Sequence, residues 1–154
     1  MMNLYETDFY AWTQQQAKLL KTKTWGELDT ANLIEEIESL GRKERQELRN
    51  RLGILLGHLL KWQYQPQHRS NSWLATIREQ RRRLQDLLLE NPSLQSYLLE
   101  TLERAYQDGV DLAVRETNLP YETFSTTCTY MLEQVLNVKF LPGRSGNCAH
   151  GIEK

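Results

Sequence analysis

Apolar residues recur at helical spacing along most of this chain, and this pattern predicts an all-α protein. Between Leu48 and Trp62, leucines recur every three or four residues, and the second half of that stretch is apolar on nearly all sides. A helix that is apolar all round is buried. We therefore expect a long central helix, residues 42–64, on which the other helices pack.

Capping signals divide the rest of the chain into further helices. Gly41 either ends the helix before the central one as a left-handed cap or is tolerated inside a longer helix. We favour the break, because the basic run 42–51 restarts the pattern. Asn91-Pro92 is a strong start signal. Residues suited to cap helix N-termini are Thr7, Asp8, Asp29, Ser70, Asn71 and Ser72. The predicted helices cover residues 7–22, 29–41, 42–64, 70–90 and 92–117, followed by a short helix over 130–138.

The segments between and beside these helices give further expectations. In the helix that follows Asp29, Leu33, Ile34, Ile37 and Leu40 form one apolar face, with three glutamates off it. Residues 121–129 are expected to form an irregular strap, which Tyr121 and Phe124 anchor on the helices. The tail, residues 142–154, has no period and is expected to be disordered.

The chain of 154 residues has the length of one domain. We expect a single-domain helical bundle of about five main helices over residues 1–141. The two cysteines, Cys128 and Cys148, form no CxxC pair and are interpreted as free thiols. The N-terminus does not resemble a signal peptide, and no run approaches a membrane span, so a cytoplasmic location is expected.

A net charge of −1 hides a strong segregation of charge along the chain. Residues 42–83 carry eleven Lys or Arg and three Asp or Glu, a net charge of +8. The flanking segments are acidic, with net charges of −4 over residues 1–41 and −6 over residues 84–124. Either the basic segment presents a cationic surface or it pairs with the chain's own acids.

Several strings in this chain resemble one known family. NLIEEIESLGR, LLGHLLKWQYQP, RSNSWLATIREQR, NPSL and LEQVL occur in this order, and together they resemble DUF29 over about residues 4–142. DUF29 comprises small helical proteins from cyanobacteria and other bacteria. The resemblance implies an all-α fold, and it brings no catalytic residues, because the family has no assigned function.

Motifs for metal binding and catalysis are weak. Glu35, Glu38 and His58 could converge on a metal, but the Glu-x-x-His pair of di-metal bundles is missing, as are HExxH and EF-hand patterns. No GxSxG or Gly-rich phosphate loop occurs, and Cys128 has no histidine near it in sequence. The sequence therefore favours a non-enzymatic protein with no cofactor and no metal.

The basic segment supplies the candidate binding residues. If the central helix and the next helix pair antiparallel, their arginines share one side of the molecule, beside an aromatic turn at residues 62–73. Arginine and aromatic side chains are common at interface hot spots. The candidate binding residues are Arg45, Arg49, His58, Lys61, Trp62, Tyr64, Arg69, Trp73, Arg78, Arg81 and Arg82.

These features favour a protein-interaction or adaptor module that binds a protein partner or a second copy of itself. The alternative is a nucleic-acid-associated protein, for instance part of a small bacterial toxin-antitoxin-like module, because lysines and arginines on one face neutralise phosphates. A third interpretation has the arginines paired with Glu35, Glu36, Glu38 and the acidic helix 92–117 inside one bundle. No membrane association is expected.

Overall fold

The computed structural model describes residues 3–143, and their regular structure consists of helices alone. Six α-helices follow in order: α1 Leu4–Thr7, α2 Phe9–Lys21, α3 Thr30–Tyr64, α4 Asn71–Glu90, α5 Leu98–Thr117 and α6 Leu132–Leu136. Short 3-10 helices cover Trp25–Glu27, Pro66–His68, Pro92–Tyr97 and Tyr121–Thr123. The all-α prediction with a long central helix is confirmed. The predicted disordered tail lies outside the described residues from residue 144 onward.

The chain divides into two compact units, one that ends at Glu44 and one that begins at Arg45. In the first unit, Asp8 caps α2 by accepting a hydrogen bond from the Ala11 amide. Asp29 accepts hydrogen bonds from the indole of Trp12 at 2.9 Å and from the Asn32 amide at 3.4 Å. One carboxylate thus joins α2 to the start of α3.

Helix α3 is 35 residues long and passes through Gly41 without a break, so the predicted helix end at Gly41 is wrong. A left-handed cap needs a positive φ, and Gly41 keeps helical geometry. A glycine inside a helix costs about 0.5–1 kcal/mol relative to alanine. That cost is small beside the apolar burial that the rest of α3 provides, and the helix continues.

The core of the second unit surrounds the second half of α3. Leu48, Leu52, Leu55, Leu56 and Leu59 are fully buried, as their spacing predicts. Helix α4 returns antiparallel to α3 after the Pro66–His68 turn, since Lys61 contacts Trp73 and Arg51 contacts Gln80. Helix α5 runs parallel to α3, since its early and late residues contact early and late residues of α3. Core residues from the later helices are Ile77, Leu84, Leu87, Leu98, Leu102, Ala105, Tyr106, Val110 and Ala113.

Helices α3 and α5 cross at glycines. A Cβ on Gly109 would lie 2.9 Å from both the Gly57 nitrogen and the Leu56 Cβ. A Cβ on Gly57 would lie 2.7 Å from a Leu112 methyl and 3.1 Å from the Gly109 carbonyl oxygen. Because neither helix carries a side chain at this point, the two backbones approach more closely than any larger residue allows.

The ends of the later helices differ in detail from the sequence prediction. Ser70 caps α4 by accepting a hydrogen bond from the Trp73 amide. Pro92 begins a 3-10 helix instead of the predicted α-helix, and α5 starts only at Leu98. Asn118 ends α5 in the left-handed region, with φ of 60°. The short last helix is narrower than predicted, Leu132–Leu136.

The strap over residues 121–129 is held by buried contacts on one side. Phe124 is buried edge-to-face against Tyr64, with ring centroids 5.1 Å apart, and the Tyr106 hydroxyl donates to the Ser125 carbonyl. The prediction that Phe124 anchors the strap is confirmed. Tyr121 is mostly exposed, and its hydroxyl bonds to Asp111 at 3.0 Å.

The crossing of α3 and α5 predicts the effect of adding one methyl group. Gly109→Ala should lower the free energy of unfolding by about 1–3 kcal/mol, because the new Cβ meets backbone atoms and forces the helices apart. Gly41→Ala is the matched control, since no atom lies within 4 Å of its Cβ position, and it should raise helix stability by about 0.5–1 kcal/mol. Urea unfolding of both variants measures the difference. Equal stability of the two would contradict the close crossing.

Candidate binding site: the arginine groove

Three of the six lysines and arginines of the central helix are paired with acids of α5. Arg45 binds Glu100 at 3.1 Å, and Arg49 holds both carboxylate oxygens of Asp108, at 2.7 and 3.0 Å. Lys61 binds Glu116 at 2.6 Å. These three pairs form a ladder along the two parallel helices. The interpretation that the basic segment pairs with the chain's own acidic helix is confirmed for these residues.

Lys61 is the most deeply buried cation of this ladder. Its side chain is almost wholly covered, while its partner Glu116 keeps contact with solvent. The Lys61 ammonium also lies 4.5 Å from the centre of the Trp73 ring, a cation–π distance. Both contacts reduce the free-energy cost of removing the Lys61 ammonium from water.

The aromatic turn is packed against the protein. Trp62 is buried, and the Arg69 guanidinium lies 4.9 Å from the centre of its ring while donating to the Trp62 carbonyl at 2.8 Å. Tyr64 packs on the core beside Phe124. The Trp62 indole nitrogen is fully buried without a hydrogen-bond partner among the described residues. This turn therefore offers no exposed row of rings on which bases could stack.

His58 lies half-buried on α3, with Nδ1 2.9 Å from the carbonyl oxygen of Ile54. Burial lowers the pKa of His58 from its ordinary value, and this effect outweighs the hydrogen bond to the Ile54 carbonyl, which raises that pKa. The nearby Lys61 ammonium adds a smaller lowering of the pKa. The imidazole is therefore mostly neutral at neutral pH.

Helix α4 carries three arginines that have no carboxylate partner within residues 3–143. Arg78 and Arg82 are exposed, and Arg81 is 4% exposed. None of the ion pairs found in residues 3–143 involves any of them. The neighbouring Arg83, by contrast, is paired with Glu79 at 3.0 Å.

Arg81 is held in place by backbone carbonyls. Its Nε donates to the Val135 carbonyl at 2.9 Å, and its Nη2 donates to the Gln134 carbonyl at 3.4 Å. These carbonyls belong to α6, whose last turn leaves acceptors unsatisfied. The guanidinium thus joins α6 to α4, and Nη1 retains donors without an acceptor among the described residues.

The three arginines line an open groove, which we call the arginine groove. One part, a cavity of about 400 Å³, is lined by Arg78, Arg81, Arg82, Gln85 and Val138. An adjoining cavity of about 240 Å³ shares Arg81, Gln85 and Val138 and adds Leu88 and Leu136. Cationic groups therefore occupy one part of the groove, and aliphatic side chains line the other.

Burial lowers the pKa of Arg81 to about 10, so its guanidinium still carries a positive charge at neutral pH. Among residues 3–143 no acid forms an ion pair with it, and two further arginines line the same cavity. A buried charge without a counter-ion is costly, and an incoming carboxylate would reduce that cost through charge-assisted hydrogen bonds. The groove is suited to bind an anion that carries an apolar portion.

The other candidate chemistries receive less support from the geometry. Within residues 3–143, no group of three or more His, Cys, Asp or Glu side chains could hold a metal ion. Burial raises the pKa of the Cys128 thiol, which lowers the fraction of reactive thiolate. In the same part of the chain, no helix combines the length and apolar content needed to cross a bilayer.

Only three of the eleven candidate residues, Arg78, Arg81 and Arg82, meet at the arginine groove. The α3 residues Arg45, Arg49 and Lys61 are engaged with α5 instead. The sequence analysis missed four residues that line the groove. They are Gln85, Leu88, Leu136 and Val138. Gln85 and Leu88 follow from helical spacing on α4, but Leu136 and Val138 come from a segment whose position the sequence does not indicate.

The fold defines a small all-α protein, and the groove is lined by arginines of α4 and by residues at and just beyond the end of α6. The chain belongs to the DUF29 family: the model described as "Domain of unknown function DUF29" matches residues 4–141. The family resemblance seen in the sequence is thereby confirmed. No curated protein and no solved structure is significantly similar to the chain.

Because Lys61 is buried and Glu116 is not, we expect removal of the Glu116 charge to cost more stability than removal of the Lys61 charge. Glu116→Gln should lower the free energy of unfolding by about 1–3 kcal/mol, because it leaves a buried ammonium without its anion. Lys61→Met should cost less, since methionine keeps an apolar stem and the freed Glu116 remains hydrated. Chemical unfolding of both variants makes the comparison, and a larger loss for Lys61→Met would contradict it.

The depressed pKa of His58 predicts a loss of stability in acid. As the pH falls through the ordinary histidine pKa of 6.5, the unfolded chain takes up this proton before the folded chain does. The free energy of unfolding should therefore fall with pH, starting near 6.5, and less steeply in His58→Gln. The exposed His68 supplies the control: a His68→Gln profile as flat as that of His58→Gln would refute this assignment.

Proposed function

We propose that this protein is a non-enzymatic interaction module that binds an acidic segment of a partner protein in the arginine groove. The observation that carries the proposal is the buried Arg81, which lines the groove and has no carboxylate partner within residues 3–143. Arg78 and Arg82 lie beside it, and both are also unpaired within residues 3–143.

The apolar part of the groove favours a peptide over a nucleic acid. Leu88, Leu136 and Val138 line the cavity next to the arginines. A peptide that alternates acidic and aliphatic side chains would satisfy both parts, because guanidinium groups bind carboxylates in bidentate geometry and leucine-sized groups fill apolar pockets. A phosphate backbone would leave the aliphatic part uncovered.

The pairing of other cations also weighs against a nucleic-acid surface. Non-specific binding to nucleic acid depends on many free cations along one face. Arg45, Arg49 and Lys61 are already neutralised by α5, and Trp62 is buried. The three arginines of α4 that form no ion pair within residues 3–143 are enough to bind the carboxylates of a short acidic segment. The half-buried free thiol of Cys128 is compatible with a cytoplasmic location.

Binding to a defined probe tests this function. The probe is a fluorescein-labelled peptide in which glutamates alternate with leucines and serines, and its neutral counterpart carries glutamine at each glutamate position. We expect the acidic peptide to bind, and Arg82→Glu to weaken binding by at least about tenfold. Arg83→Glu is the matched control, because Arg83 is exposed on the same helix but is paired with Glu79 and does not line the groove.

Other outcomes would contradict the proposal in distinguishable ways. Equal weakening by Arg82→Glu and Arg83→Glu would mean that the net charge of α4 matters and the groove does not. Stronger binding of random-sequence DNA or RNA, with an affinity that falls steeply with salt, would favour the nucleic-acid alternative. Binding of the neutral peptide with equal affinity would exclude the arginines as the determinant.

A further inference from the structure

The first half of α3 exposes a row of large aliphatic side chains. Ile34, Ile37 and Leu40 are 51%, 66% and 60% exposed. The sequence indicates that they form one apolar face, and more than half of each side chain is left exposed. Because residues three apart are neighbours on a helix surface, these side chains form a continuous ridge. Contiguous exposed apolar surface marks interaction sites in soluble proteins.

Gly41 lies on the same side of α3 as this row. At about 100° per residue, its position around the helix falls between those of Ile34 and Ile37. No heavy atom lies within 4 Å of the place where its Cβ would stand. Gly57 and Gly109, by contrast, each have a neighbour inside 3 Å of that place. Gly41 therefore leaves room for the close approach of a helix that is not part of this chain's own packing.

The charges beside the row have a fixed order along the helix. Glu35 and Glu38 precede Arg42 on one flank, and Arg42 reaches back to them at 3.0 and 4.0 Å. All three side chains are more than half exposed, so these pairs contribute little and open easily. If the helix of a second copy lies antiparallel, the same flank of each helix meets the other, with acids opposite Arg42.

We propose that a second copy of this chain packs antiparallel against the first half of α3, through Ile34, Ile37, Leu40 and Gly41. The aliphatic ridges of the two copies bury one another, and Gly41 permits their close approach. Arg42 of each copy pairs with the acids of the other. A parallel arrangement would set acids beside acids and bases beside bases, so charge complementarity selects the antiparallel one. This association does not depend on the arginine groove.

Sedimentation of the full chain over a range of concentrations tests the proposal. We expect a concentration-dependent dimer, and Ile37→Glu should raise its dissociation constant at least about tenfold, because a carboxylate would be buried without a partner. Leu89→Glu is the matched control, since Leu89 is equally exposed but lies on α4. Circular dichroism should show unchanged helicity in both variants, as both positions are at the surface.

Two outcomes of this experiment overturn the proposal. A chain that stays monomeric at every concentration has no such interface. A dimer that Ile37→Glu leaves intact, or that Leu89→Glu weakens equally, uses another surface.

Gly41→Ala tests the close approach separately. The added methyl raises helix propensity, so the thermal midpoint of the dilute monomer should rise. The same methyl would stand between the two helices of the dimer, and the dissociation constant should therefore increase. If the thermal midpoint rises and association is unchanged, the close approach at Gly41 is wrong.

Charge reversal tests the antiparallel orientation. Arg42→Glu should weaken association by placing acids opposite acids, and the combined change with Glu35→Arg and Glu38→Arg should restore it, because every pair then has its signs exchanged. Failure of the combined variant to recover affinity would overturn the antiparallel arrangement.

Discussion

The close crossing of α3 and α5 is the constraint on which the second unit of this protein depends. Gly57 and Gly109 remove the side chains that would hold the two helices apart, so backbone atoms of one helix meet the other directly. That approach brings the acids of α5 within reach of Arg45, Arg49 and Lys61. The ion-pair ladder is a consequence of the crossing, and it neutralises three of the eleven lysines and arginines in residues 42–83.

The ladder joins α3 to α5 and includes no residue of α4, and within residues 3–143 Arg78, Arg81 and Arg82 of α4 form no ion pair. Arg81 is buried, but its partners are the carbonyls of α6 and not a carboxylate. A cation held by neutral acceptors fixes the position of the C-terminal segment and keeps its full charge. The segment brings Leu136 and Val138 beside the arginines, and the groove arises from this contact. The same residue therefore has a structural role and defines the proposed binding site.

Apolar side chains at helical spacing are buried in the second half of α3 and exposed in its first half. In the second unit, Leu48, Leu52 and Leu55 are wholly covered by α4 and α5. In the first unit, Ile34 and Ile37 continue the helical spacing and are left exposed. Apolar spacing indicates which side of a helix avoids water. It does not indicate whether the covering surface comes from the same chain, and this difference motivates the proposed association of two copies.

The sequence by itself determined the helical class, the central helix and several caps, because these depend on neighbours within one or two turns. A helix break at Gly41 was favoured over the continuous helix, since a local glycine signal was weighed without the stability that packing gives to the whole of α3. Only the tertiary structure decided which cations are paired. Arg81 meets the Val135 carbonyl 54 residues further along the chain, and Arg49 meets Asp108 59 residues further along. Spacing in the sequence places a side chain on one face of a helix. The charges around that side chain depend on which helix packs against that face, and close packing between distant segments decides which helix this is.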